Sequence, residues 1–261
     1  MPLRWTRWYS ERLSYTEIAQ ERIIRMESID KIKGTYEKKI AESEKNPVSV
    51  AVIKRLPRYH RYLGELIRDG KLRISSAELS KIMGVTASQI RQDFNCFGGF
   101  GQQGYGYNVK YLHTKIGELL GMAEGYRAVI VGFGNLGRAL ATTHMFERRG
   151  VEVIALFDVN EDIVGTDYNG FHVYHVNDLY DFCKTNNIHI GVLTVPKESA
   201  ESVAKTLVDA GVRGLWNFAN MELTVENSNV IVQNVHMGDS LMTLCFGIKS
   251  GGEKGIFDDQ I

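Results

Sequence analysis

Residues 127–140, RAVIVGFGNLGRAL, place a short apolar run, Ala128 to Val131, directly ahead of Gly132-x-Gly134-x-x-Gly137. A brief apolar run bounded by glycine reads as a strand buried on both faces. The glycines that follow have separate duties in a strand-turn-helix unit. Gly132 admits the tight turn, Gly134 lets backbone approach a pyrophosphate, and Gly137 lets the helix lie close on the strand. The helix N-terminus turns unpaired N–H groups and the positive end of its dipole towards that phosphate. Phe133, Asn135 and Leu136 complete the loop as candidate cofactor contacts.

Outward from this turn, Val151 to Phe157 is a second apolar strand ending in Asp158, 21 residues beyond Gly137 and followed by Val159. A carboxylate there can accept both ribose hydroxyls of an adenosine, whereas a 2'-phosphate would meet it as a like charge. The pattern therefore selects NAD+ and NADH over their phosphorylated forms. Further strands are legible at Ile188 to Val195 and Gly214 to Phe218, with crossover helices at Asp178 to Thr185 and Ser199 to Ala210. Ligands of open parallel sheets sit beyond the strand C-termini. Thr194, Val195, Pro196, Asn217, Phe218 and Ala219 are accordingly candidate contacts. The expectation is an α/β Rossmann domain, a doubly wound parallel sheet, over 126–235.

Upstream, the period changes to short helices. Pro57 suits a first helical position, and Tyr59, Tyr62, Leu63, Leu66 and Ile67 recur at helical spacing up to Gly70. Ser75 with Glu78 forms a capping box for a second helix, with Leu79, Ile82 and Met83 as its buried stripe and Gly84 as its stop. Thr86 with Gln89 forms a second box, for a helix that turns Ala87, Ile90 and Phe94 to one side. Two capped helices joined at a glycine read as helix-turn-helix. Ser88, Gln89, Arg91 and Gln92 then lie where base edges would be met, Arg91 suited to guanine and either glutamine to adenine. Gly98 to Tyr107 alternates glycine with aromatics, which suits a tight hairpin wing carrying Tyr105 and Tyr107. Residues 47–110 thus read as a winged helix, 111–125 as part of a linking helix from Val109 to Met122, and 236–250 as a C-terminal helix.

The chain has 261 residues and no formal net charge, but residues 47–110 hold ten basic residues against four acidic ones. That local excess favours a polyanion and adds Lys54, Arg55, Arg58, Ser75, Ser76 and Thr86 to the candidate DNA contacts. Three cysteines, Cys96, Cys183 and Cys245, form no CxxC pair, so neither a disulfide framework nor a thiolate metal site is expected. No apolar run reaches the roughly 20 residues that cross a bilayer, and a reducing cytoplasm fits best. Residues 1–46 read as a polar extension, in which Trp5, Trp8 and Tyr9 stand among Arg4, Arg7 and Arg12, and 251–261 as a tail.

The phrases KRLPRYHRYL, RISSAELS, IRQDFNCFG, GYGYNV, VGFGNLGRAL and LTVP, in this order, resemble the bacterial redox-sensing repressor family called Rex over about residues 47–248. The resemblance implies a homodimer gripping an inverted-repeat operator, with NAD+ permissive and NADH closing the dimer and releasing DNA. It also implies a last helix, His236 to Ile248, exchanged between subunits through Met237, Leu241, Leu244, Cys245 and Ile248. At the switch the sequence departs from the family: His236 and Met237 replace an Asp-Phe pair and Thr143 replaces an aromatic, while Arg61 is kept. His236 either acts by protonation or faces solvent.

Rival readings are an NAD-dependent dehydrogenase, a CoA-binding module and a thiol switch at Cys96. An enzyme would draw its proton donor from His172, His175, Lys197 or His236, and none lies in a recognisable catalytic motif. The VPKESA segment resembles CoA-binding domains, against which Asp158 argues. A thiol switch needs a lowered thiol pKa and a resolving partner, and the sequence offers neither.

Overall fold

The computed structural model of the chain describes residues 49–97, 101–102, 105–226 and 229–250. The extension 1–46, the tail 251–261, and residues 98–100 and 103–104 of the expected wing lie outside the described residues. The chain divides into two units within the first helix, after Pro57.

That helix, α1 (Val50–Arg68), begins well before Pro57, which lies inside it. The expectation of Pro57 in a first turn is corrected by the apolar spacing: Val52, Leu56, Tyr59, Leu63 and Leu66 are all buried. This stripe continues at helical period through the proline, whose missing N–H costs one ladder bond. Helix α2 (Ser76–Met83) has the full capping box, Glu78 N donating to Ser75 Oγ at 3.1 Å and Ser75 N to Glu78 Oε2 at 2.8 Å. It stops at Gly84, with φ 71°. Leu79 and Met83 are buried as expected, but Ile82 is 40% exposed, one position off the stripe. Helix α3 (Ala87–Asn95) has only half of its expected box. Thr86 Oγ1 accepts from Gln89 N at 3.2 Å, while the Gln89 side chain turns along the helix to Asp93.

Three short strands pair antiparallel in the order β1 (Arg73–Ile74), β3 (Gly106–Asn108), β2 (Gly101–Gln102). Gly106 is obligatory: its φ is +70°, and a Cβ there would stand 2.8 Å from the Ile74 carbonyl oxygen. Asn108 Oδ1 then caps α4 (Val109–Leu119), which ends three residues short of the expected Met122.

The second sheet follows in the order β10 (Ile231–Asn234), β9 (Gly214–Asn217), β8 (Ile190–Leu193), β4 (Tyr126–Val131), β5 (Val151–Asp158), β7 (Phe171–His175), β6 (Asp167–Tyr168). All neighbours are parallel except the β6–β7 hairpin. Helices α5 (Asn135–Ala141), α6 (Leu179–Thr185) and α7 (Lys197–Asp209) alternate with the strands. Successive residues of β4 serve opposite faces. Val129 and Val131 join Phe157, Leu193, Leu207 and Leu215 in one core, and Ile130 joins Leu156, Val192, Phe133 and Phe146 in the other. Both faces are thus covered by apolar layers, as a parallel sheet requires. Helix α8 (Met237–Lys249) closes the described chain.

Helices α1 and α4 meet where His60 stacks on His113, with ring centroids 3.9 Å apart. Gly64 and Gly117 make the room, since a Cβ at either would stand 3.3 or 3.2 Å from the facing imidazole Nε2. Burial first, then the nearby His113 and Arg149 charges, lower His60 from 6.5 to about 4, and burial lowers His113. An unfolded chain would protonate both near the ordinary value, so it binds more protons than the fold between about 6.5 and about 4. Stability therefore falls as pH drops through that window. Thermal melts should show Tm declining from about pH 7 to about pH 5, less steeply in His60→Gln, and an unchanged slope in the variant would contradict this assignment.

Candidate nucleotide crevice and nucleic-acid interface

The loop joining β4 to α5 is fixed by close approach. Gly132 has φ +96°, and a Cβ on it would lie 2.6 Å from the Thr194 carbonyl oxygen. A Cβ on Gly137 would lie 2.1 Å from the Gly132 carbonyl oxygen. A Cβ on Gly134 would meet nothing within 4 Å, which leaves open space for a phosphate at the α5 N-terminus. Asp158, at the end of β5, accepts from Phe133 N at 2.5 Å and Asn160 N at 2.9 Å. An ionised carboxylate has about four lone-pair sites, so two backbone donors leave capacity for ribose hydroxyls. Gly134 and Asn135 are exposed and Leu136 is half-buried along the same edge, with exposed Val159 beyond Asp158. These residues fit a dinucleotide.

Not every candidate is aimed at that space. Thr194 Oγ1 donates to the Gly132 and Val131 carbonyls at 2.6 and 3.1 Å, bracing the loop. Phe133 is 3% exposed, packed edge-on against Tyr168 with its backbone at the loop. Asn217 is fully buried: its Nδ2 donates to Met221 O and Asn234 Oδ1, and its Oδ1 accepts from Ala219 N. That amide holds the end of β9 together and is spent before any ligand arrives. Val195 packs into the core, Pro196 begins α7, Ala219 is buried, and Phe218 leans on Trp216 at 4.6 Å.

Sequence reasoning missed Arg138, whose guanidinium stands 4.9 Å over the Phe133 ring while its Nε donates to Phe133 O at 3.2 Å. Its signal was a cation directly after the third glycine. Also missed were Glu222 and Asn234. Glu222 Oε1 pairs with His236 Nε2 at 3.1 Å and its Oε2 accepts from Asn234 Nδ2 at 2.7 Å. His236 is thus partnered and half-buried rather than facing solvent. Thr143 is exposed with its hydroxyl on Leu140 O, Arg61 is exposed beside the Tyr62 ring, and Met237 is 61% exposed.

On the basic side, Ser88, Arg91 and Gln92 are exposed on α3, and Arg91 Nη1 donates to Ser76 Oγ at 3.0 Å. Thr86 and Ser88 share a 3.0 Å hydroxyl bond at the start of that helix. Ser75 is occupied by its cap, and Arg58 Nη2 donates to Met83 O at 2.6 Å, serving the α2 C-terminus. Lys54 is exposed and Arg55 half-buried on α1. Tyr105 is 70% exposed beneath Arg73, whose Nη1 donates to its carbonyl. Tyr107 corrects the expectation of a contact: it is 9% exposed, edge-on to Phe94, and burial pushes its phenol up.

A dinucleotide crevice and a helix-turn-helix with a polar outer face, joined in one chain, define a transcription regulator that binds a nucleotide cofactor. Residues 123–221 match the family model described as CoA binding domain, and residues 47–95 the one described as Putative DNA-binding protein N-terminus. The chain is 53% identical over 204 residues, 78% of its length and 97% of the relative's, to the redox-sensing transcriptional repressor Rex of Clostridioides difficile (strain 630). It is 49% identical to that of Clostridium tetani (strain Massachusetts / E88), covering 78% of this chain and 96% of that one. The crystal structure of RSP with beta-NAD+ and operator DNA superposes with a TM-score of 0.74 at 48% identity, over 78% of this chain and 93% of that one. RSP with beta-NADH gives 0.73 at 45%, over 78% and 96%. The chain belongs to the Rex family of redox-sensing transcriptional repressors. It is a DNA-binding regulator.

Gly134→Ala tests the crevice without disturbing the fold, because its Cβ enters open space. Calorimetry should find NADH affinity reduced about tenfold or more, roughly 1.4 kcal/mol, with the ligand-free Tm unchanged. Undiminished affinity would place the pyrophosphate elsewhere.

Proposed function

We propose that the chain represses transcription as a homodimer that holds an inverted-repeat operator with NAD+ or no ligand and releases it on binding NADH. The observation that carries this reading is the open space over Gly134 beside Asp158, in one chain with the exposed polar face of α3. Relatives crystallised with beta-NAD+ and operator DNA, and with beta-NADH, support both ligands. The cofactor site comprises Gly132 to Gly137, Asp158, Val159, Thr194 to Pro196, and Phe218 with Ala219. The DNA site comprises Lys54, Arg55, Ser76, Thr86, Ser88, Gln89, Arg91, Gln92 and Tyr105. The working division is a winged helix over 47–110, a linker over 111–125, a Rossmann domain over 126–235 and an exchanged helix over 236–250.

Helix α8 supports the dimer. Met237, Leu241, Met242, Leu244, Phe246 and Ile248 are each 57–73% exposed in the single chain. A contiguous apolar surface of this kind calls for a protein cover, and exchange between two copies supplies it. Among the described residues no helix is long and apolar enough to cross a membrane. A cytoplasmic setting suits a regulator reached by both cofactors.

The sensor requires no chemical step, only unequal affinity of the two cofactors for two dimer shapes. Moving such a population from mostly open to mostly closed takes a preference near 10⁴-fold, about 5.5 kcal/mol, which two sites can share. Closure would carry the two α3 helices off half-sites about 34 to 36 Å apart. Because Asp-Phe is replaced by His236-Met237, the switch contact here runs through the His236–Glu222 pair.

Titrating NADH at fixed NAD+ should release operator DNA as the ratio rises, and operator affinity indifferent to the ratio would end the sensor reading. Arg91→Ala should erase roughly 1 to 3 kcal/mol of base discrimination, whereas Arg55→Ala should weaken all sequences alike. Equal losses on every duplex for both variants would remove Arg91 from base reading.

A further inference from the structure

Asp93 lies on α3 and is fully enclosed, with 0% of its surface exposed. Enclosing a carboxylate is costly, and where one serves packing alone apolar groups of similar volume do as well. Among its partners are two of different kinds. Its Oδ2 accepts from the hydroxyl of Tyr59 at 2.7 Å, and its Oδ1 accepts from the Gln89 amide Nε2 at 2.8 Å. Tyr59 is itself buried, with its ring 4.9 Å from Phe94. The carboxylate is therefore gripped from the core and reaches one turn back along α3 to a side chain at the helix start. Gln89 stands between the exposed Ser88 and Arg91, and its backbone N–H is held by Thr86 Oγ1.

We infer that Asp93 is a positioning residue for base recognition, orienting the Gln89 amide so that it reads adenine. A glutamine amide has two nearly isosteric orientations, decided by its hydrogen-bond surroundings. Flipping Gln89 would set Oε1 against the Asp93 carboxylate oxygen, two acceptors facing each other. The nitrogen is thus committed towards Asp93 through one of its two hydrogens, and Oε1 points away from the buried carboxylate. What remains for DNA is one N–H donor and one carbonyl acceptor in fixed order, the pattern that matches N7 and N6 of adenine. The other order, which would accept different base edges, is suppressed. This inference rests on reading α3 as the recognition helix.

The test measures full-length protein on an operator selected from random DNA and on its complete set of single-base variants. Wild type should show one A·T position per half-site whose replacement costs roughly 10- to 100-fold. Gln89→Ala should abolish the penalty at that position. Asp93→Asn, which restores both amide orientations, should shrink it to about threefold or less while penalties elsewhere and affinity for non-specific DNA hold. Adding Asp93→Asn to Gln89→Ala should change no base preference. Where Asp93→Asn does not fold, Tyr59→Phe carries the test, with a partial loss confined to the same position. A loss spread evenly over all sequences in either variant, or an intact penalty in Asp93→Asn, would overturn the positioning role. A selected operator with no position governed by Gln89 would overturn it as well, and a wild type that selects no operator would instead defeat the repressor reading.

Discussion

The nucleotide crevice depends on one carboxylate. Asp158 ends β5 and takes hydrogen bonds from Phe133 N and Asn160 N, joining the loop after β4 to the loop after β5. Its two oxygens hold the glycine turn through these bonds and, in the proposed reading, also meet the ribose. The turn is held from its other side by the Thr194 hydroxyl on the Gly132 carbonyl and by the near contact of Gly137 with the same carbonyl. The position of the α5 N-terminus, and hence of any bound phosphate, follows from these few contacts.

Much of this was legible because it obeys local rules. The glycine spacing, the strand before it and Asp158 after it are short-range features, and the structure places them together. So are the Ser75–Glu78 box and the Gly84 stop. The misreadings arose where tertiary packing overrides a local signal. Pro57 suggested a helix start, yet the buried stripe from Val52 to Leu66 extends the helix through it. Gln89 fits a capping box by type, but the buried Asp93, four residues on, claims its amide. Asn217 ends a strand at the crevice, where ligands are expected, and is consumed by Asn234 and Met221. Strands β6 and β10 at the sheet edges, and β7 next to β6, went unread, since such short strands carry weak alternation. Arg138 and Glu222 show no pattern of their own and gain meaning only from Phe133 and His236.

The start of α8 is tied to the strand ends by a polar chain. His236 bonds Glu222, Glu222 bonds Asn234, and Asn234 bonds the buried Asn217 at the end of β9. Hydrogen-bonded links of this kind have discrete arrangements, which suits an element whose equilibrium a cofactor biases. The exposed apolar residues of α8, Met237, Leu241, Met242, Leu244, Phe246 and Ile248, are the surface on which the proposed exchange between copies rests. In the N-terminal part of the described chain, the buried Tyr59 of α1 donates to Asp93 of α3 and so ties the two helices together.

Coupling between two binding sites is reciprocal: whatever factor NADH takes from operator affinity, operator DNA must take from NADH affinity. The most direct measurement is calorimetry of NADH binding to the protein alone and to the protein saturated with its operator duplex. The account predicts weaker NADH binding in the presence of the duplex, by the same factor that separates operator affinities with and without NADH. Equal NADH affinity in the two titrations would contradict it.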